Sequence, residues 1–176
     1  MVRYRRNKVK GGTYFFTVVL KDRGSKFFVE HIDLLRSVFK TVCKEKPFEI
    51  IAMVVLPDHL HSVWRLPEED DDYSGRWKSI KSKFSRELVK KGVPVPKNIK
   101  GEYFLWQRRY WEHTIRNDED LQMHGDYIHY NPVKHGYVKQ VKGWPHSSFH
   151  RYVRVGLLNI DWGSMMVLDD RNEFGE

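Results

Sequence analysis

The segment Phe48–Leu66, FEIIAMVVLPDHLHSVWRL, decides how this chain folds. Phe48 to Leu56 form a nearly continuous apolar run, which predicts a central strand with both faces buried. Pro57 presets φ for the first turn position and Asp58 suits the next. His59 to Leu66 then read as the returning strand, so the pair is an antiparallel hairpin. Residues two apart on a strand share a face. His59 and His61 therefore project together, roughly 7 Å apart at Cα, while Leu60 and Trp64 point the other way. Two imidazoles at that spacing can converge on one cation. With nine histidines in 176 residues, the same spacing also arises by accident, and two histidines do not complete a site.

Upstream of the hairpin, Thr13–Leu20 is aromatic and β-branched and reads as a strand. Ile32, Leu35, Val38, Phe39 and Val42 fall at helical spacing, and Pro47 stops that helix. Downstream, an acidic loop leads to a helix from Tyr73 to about Lys91. Asp72 or Ser74 caps it, and Gly92 lies past its end. Trp77, Ile80, Phe84 and Leu88 form its apolar stripe, with Arg76, Lys78, Lys81, Lys83 and Arg86 around the remainder. A proline-broken loop precedes a fourth strand at residues 106–116. There Trp111, His113 and Ile115 share one face, and Glu112 and Thr114 the other. Glu112 and His113 read as packing residues. Asn117 caps a last helix, with Asp118, Glu119 and Asp120 in its first turn where the dipole favours them. Pro132 is expected to end it at Asn131.

The order strand, helix, strand, strand, helix, strand is that of a ferredoxin-like split βαβ unit. The fold class is α+β, an antiparallel sheet with helices on one face plus an added C-terminal helix. We divide the chain into a basic N-terminal arm at 1–12, one domain at 13–155 and a polar, acidic tail at 156–176.

The hydrophobic fraction of 40% supports a core, so wholesale disorder is excluded. The start is basic and then glycine-rich, unlike a secretory signal, and no apolar run is long enough to span a bilayer. One cysteine, Cys43, excludes internal disulfides and cysteine-type zinc clusters. The expected location is the cytoplasm, with no membrane partner. A formal net charge of +8 points to a polyanion, nucleic acid before membrane surface. The segments RYRR, RWKSIKSKFSR and WQRRYW interleave cations that neutralise phosphates with rings that stack on unpaired bases. The candidate nucleic-acid contacts are Arg3, Arg5, Arg6, Lys78, Lys81, Arg108 and Arg109.

Magnesium and manganese prefer oxygen ligands and keep positions open for phosphate. The last helix offers such an oxygen. Tyr127 and Asn131 are four apart and share a helical face. Asn131 can give its carbonyl oxygen to the ion, and Tyr127 would then sit beside the metal. A phenol with pKa about 10 is a poor nucleophile until a cation polarises the phosphate it attacks. Taken alone, Tyr127 reads first as one of nine tyrosines that pack on the sheet.

The segments PFEIIAMVVLPDHLHSVWRLP, WKSIKSKFSR, WQRRYWEHTIRN, YIHYNPVKHGYV and WPHSSFHRYV resemble, in that order, the HUH single-tyrosine transposases. They are most similar to the REP-associated tyrosine transposases of the IS200-like group, over most of the chain. The resemblance implies His59 and His61 as ligands of a Mg2+ or Mn2+ ion, Tyr127 as nucleophile, and Asn131 as third ligand where relatives often carry Gln. It also implies an endonuclease and strand transferase acting on single-stranded DNA with a palindromic hairpin through a 5′-phosphotyrosine intermediate. A hairpin-binding protein without catalysis and a hydrolytic phosphoesterase are the competing readings. Transposases of the wider group are often dimers. The expectation here is a monomer, its dimer surface taken by the longer C-terminal part.

Overall fold

The computed structural model describes residues 6–164. Arg3, Arg5 and residues 165–176 of the expected tail lie outside the described residues. Four strands, β1 (Thr13–Val19), β2 (Glu49–Val55), β3 (His59–Arg65) and β4 (Trp111–Thr114), form one antiparallel sheet in the order β2-β3-β1-β4. That is the ferredoxin-like order, with the first strand beside the third. Val19 lies opposite His59 and Thr17 opposite His61, so β1 runs directly along the histidine strand.

Strand alternation divides the apolar residues between two layers. Tyr14, Phe16, Val18, Leu60 and Trp64 face α2 (Ile32–Glu45) and α3 (Tyr73–Lys90), which supply Leu35, Val38, Phe39, Trp77, Ile80 and Phe84. Trp64 and Trp77 stack at 4.3 Å in the middle of that layer. Phe15, Ala52, Val54 and Val63 face the opposite way, onto Tyr127 and Ile128 of α4 (Asp118–Lys134). The two ferredoxin helices thus share one face, and the added helix covers the other. The histidines project towards the added helix. No helix among the described residues is long and apolar enough to cross a membrane.

The helix starts follow local chemistry. Asp72 accepts from Gly75 N–H to cap α3, and Asn117 accepts from Asp120 N–H to cap α4. Three local expectations need correction. A short helix, α1 (Phe27–Glu30), precedes α2 in a stretch to which the sequence assigned no element. Arg76 is not among the solvated cations of α3. It is fully buried, pairs with Asp70 at 2.7 Å and donates to the Pro47 carbonyl at 2.7 Å. Finally, α4 does not stop at Asn131 but runs through Pro132 to Lys134. Gly136, at φ 72, takes the left-handed turn that closes it. Gly136 N–H bonds Val133 O and Tyr137 N–H bonds Pro132 O, a Schellman closure. Proline costs the ladder one donor this close to the end, and the terminal bonds offset that loss.

The chain beyond α4 is folded against the sheet. It includes a 3-10 turn (Val141–Gly143) and α5 (Phe149–Arg154). Residues 146–148 run along β2, with Val55 N–H bonded to His146 O and Ser148 N–H to Met53 O.

Candidate active site

His59 opens β3 directly after the turn, and its ring is wholly buried. Its Nδ1 lies 2.8 Å from Asp58 Oδ1. A carboxylate only accepts, so this nitrogen carries the hydrogen, and Nε2 presents its lone pair. That Nε2 is buried with no hydrogen-bond partner among the described residues. Burial pushes the Asp58 carboxyl up, but its hydrogen bond and charge interaction with His59, with Arg23 at 2.7 Å, outweigh this and hold it below the usual carboxylate range. His61 is built the same way from the other side: its Nδ1 is 2.8 Å from Thr17 Oγ1 on the facing strand. The two rings lie 5.1 Å apart.

Helix α4 lies across β2 and β3 and carries Tyr127 over this pair. The Tyr127 ring meets the His61 ring edge-on at 5.2 Å and Phe15 at 6.1 Å. Lys134, two turns on, places its Nζ 3.3 Å from the phenol oxygen and 5.0 Å from the ring centre. Asn131 follows Tyr127 by one turn and is completely buried. His135, at the end of the helix, brings its ring within 5.0 Å of His59.

His59, His61 and Tyr127 therefore lie together on one face of the sheet, and Asn131 sits one turn beyond Tyr127 on α4. The donor set suits a small divalent cation, since each imidazole has its Nδ1 engaged and one buried Nε2 lacks a proton to share. Sequence reasoning passed over four neighbours. Asp58 was read as a turn residue. Thr17 carries no signal of its own and is found through cross-strand register alone. Lys134 and His135 were hidden by ending the helix at Asn131.

Other ligand-type side chains, His113, Asp120 and His124, gather within 4.8 Å of one another beside Phe15. His113 Nε2 is 2.8 Å from Asp120 Oδ2, and the two imidazoles stack at 4.6 Å. Arg116 gives the same carboxylate its backbone N–H at 2.9 Å and its guanidinium at 3.2 Å. Burial raises the Asp120 pKa, but these donors outweigh it and hold it down to about 2. Through Oδ2 the carboxylate ties β4 to the first turn of α4. The structure thus gives His113 more than sheet packing.

The candidate DNA contacts fall elsewhere. Arg6, Lys78, Lys81 and Arg108 line one groove on the α3 side of the sheet, while Arg109 is exposed and outside it.

A four-stranded antiparallel sheet whose paired histidines face a helix-borne tyrosine is the arrangement of a tyrosine transposase domain. Residues 8–131 match the family described as Transposase IS200 like. A protein of Haemophilus influenzae named for the REP-associated tyrosine transposases is 50% identical over 165 residues, covering 93% of this chain and 94% of that one. The REP-associated tyrosine transposase of Escherichia coli is 49% identical over 162 residues, covering 92% and 91%. A solved structure of a REP-associated tyrosine transposase bound to a REP hairpin superposes with a TM-score of 0.84 at 47% identity, over 100% of this chain and 98% of that one. The chain belongs to the IS200-like transposases and, within them, to the REP-associated tyrosine transposases.

Proposed function

We propose that this protein is a metal-dependent endonuclease and strand transferase that cuts single-stranded DNA beside a palindromic hairpin through a 5′-phosphotyrosine intermediate. The observation that carries the reading is the edge contact of the Tyr127 ring with the His61 ring at 5.2 Å, which sets the phenol beside the paired histidines. The hairpin held by the solved relative supports the substrate class.

His59, His61 and Asn131 would hold Mg2+ or Mn2+. Such an ion would supply charge neutralisation at the scissile phosphate and orient it for in-line attack. The Tyr127 phenol gives up its proton to solvent as its oxygen forms the new bond to phosphorus and the bond to the 3′-oxygen breaks. The leaving oxygen takes a proton and becomes a 3′-OH, and attack by another 3′-OH reverses the step and joins strands. Lys134 donates to the phenol oxygen, so its ammonium favours the charge that develops there. Asp58 and Thr17 fix the two histidine rings.

The test replaces Tyr127 by Phe, which removes one oxygen and leaves the ring packing. Incubated with Mn2+ and labelled hairpin DNA bearing an unpaired flank, the native protein gives a band shifted by a covalent adduct on a denaturing gel. The variant gives none. Cleavage and adduct formation by Tyr127→Phe would overturn the assignment. Free 5′-phosphate ends without an adduct would instead mark hydrolysis, and tight binding without cleavage a hairpin-binding protein.

A monomer belongs to the same reading. The β2 edge is taken by the C-terminal segment, where Arg151 and Tyr152 bond Ile51 O in addition to the main-chain pairs of residues 146–148.

A further inference from the structure

One oxygen of Asp120 is unaccounted for by the bonds that tie β4 to α4. Oδ2 takes the His113 ring and both donors of Arg116. Oδ1 is buried and has no hydrogen-bond partner among the described residues, on a side chain only 4% exposed. His124 Nδ1 lies 3.1 Å from Oδ1, but its hydrogen is committed to the Asp120 backbone carbonyl at 2.8 Å, which can only accept. A buried carboxylate oxygen without a donor is costly, and a proton or a cation relieves that cost. The donors on Oδ2 keep Asp120 ionised far below neutral pH, which leaves the cation.

The surroundings of Oδ1 supply the rest of a metal site. One ligand atom from each of His113, Asp120 and His124 lies within 4.8 Å of the others. The imidazoles stack at 4.6 Å, 13° from parallel, and each presents a nitrogen to a different oxygen of the same carboxylate. His113 Nε2 meets Oδ2 at 2.8 Å and His124 Nδ1 meets Oδ1 at 3.1 Å. A tetrahedral zinc ion separates its ligands by roughly 3.4 Å, so a small closure of the three around one ion suffices. Each neutral ring would release the hydrogen on its ligating nitrogen and hold one on the other nitrogen, so ligation changes the tautomer and not the charge. Two imidazoles and a carboxylate suit zinc, whose affinity for such donors exceeds that of manganese. The Arg116 guanidinium opposes the ion, but its side chain is 73% exposed and free to leave Oδ2 to the backbone N–H. The His113 side chain is 25% exposed, which gives the ion an entry path and a water for its fourth position.

We propose that His113, Asp120 and His124 form a second metal site, of zinc type, that pins the start of α4 to β4. It is separate from the ion proposed for His59, His61 and Asn131. Phe15 stands between the two clusters, its ring 5.5 Å from that of His61 and 4.8 Å from that of His124. The consequence falls on the nucleophile. His124 precedes Tyr127 by three residues, so the two share a face of α4, and both rings pack on Phe15. Fixing His124 fixes the turn that carries Tyr127. The metal site itself stands apart from the nuclease reading, and only its effect on Tyr127 rests on that reading.

The test counts metal ions on the full chain after stripping with a chelator, with Zn2+ for stoichiometry and the visible absorption of Co2+ as a report on the ligands. The native protein is expected to bind two equivalents. One is lost in His61→Gln. The other is weakened in His113→Gln and in His124→Gln by more than the about 100-fold that loss of a supporting residue costs at most. With Zn2+ at about 100 Kd, the melting temperature of His61→Gln should still rise by roughly 5 to 10 °C, and that of His113→Gln should not. Arg116→Ala, at an exposed position outside the ligand set, should tighten the second equivalent about threefold, because it removes the opposing cation. A single equivalent on the native chain, a second equivalent that survives both histidine changes, or weaker binding in Arg116→Ala would overturn the proposal. If the native protein forms the covalent adduct while only the His61-dependent ion binds, the zinc site fails and the catalytic reading stands. If a His113-dependent ion binds and no adduct forms, the reverse holds.

Discussion

His59 and His61 sit in the same strand but are fixed by different neighbours, one by the residue before it and one across the sheet. Asp58 accepts from His59 Nδ1, and Thr17 bonds His61 Nδ1. Partners of this kind set ring orientation and ligand basicity, and losing one costs about 10- to 100-fold in metal affinity. Asp58→Asn and Thr17→Val should therefore each weaken Mn2+ binding by that factor in a calorimetric titration of the DNA-free protein, with the fold intact by circular dichroism. Unchanged affinity in both would remove the histidines from the metal site. The motif His-Leu-His was legible in sequence because strand alternation dictates a shared face. Thr17 was not legible, because register, not composition, puts it opposite His61.

At the level of elements, α4 carries the candidate chemistry, and its first turn is tied to β4 by Asp120. The carboxylate sits almost wholly buried between His113 and Arg116. Its pKa, near 3.9 in an unfolded chain, is held down to about 2 in the fold. The unfolded chain therefore binds the extra proton as pH falls through that window. The stabilisation is fully present above about pH 4 and is lost as pH falls towards 2. Urea unfolding should show this loss, and Asp120→Asn should flatten it while costing about 3 kcal/mol at pH 7. A variant with the native acid profile would show that the tie contributes nothing. Capping made the start of α4 readable from Asn117 and the acids after it. The other end was misread because the proline rule was applied without the Gly136 closure, which tolerates Pro132 one turn from the terminus.

For the whole molecule, the C-terminal segment closes one edge of the sheet. Trp144 Nε1 bonds Val55 O at 3.0 Å, and residues 146–152 satisfy β2 as far as Ile50. An uncovered edge strand is a template for pairing with another chain. A chain ending at Gly143 should therefore associate, eluting as dimers or larger species in size-exclusion chromatography where the full chain elutes as a monomer. A monomeric truncated chain would show that the segment does not guard the edge. The split βαβ order was readable because each strand and helix announces itself by a period of two or 3.6 residues. Those periods are local, so the sequence by itself determined the elements, the paired histidines and the helical face shared by Tyr127 and Asn131. Tertiary structure alone decided that α4 covers the histidine face, that Arg76 is buried, and that Arg6, Lys78, Lys81 and Arg108 line one groove on the far side. Each of these depends on which surfaces are left to bury once the sheet has formed, and that competition is settled by packing between residues distant in the chain.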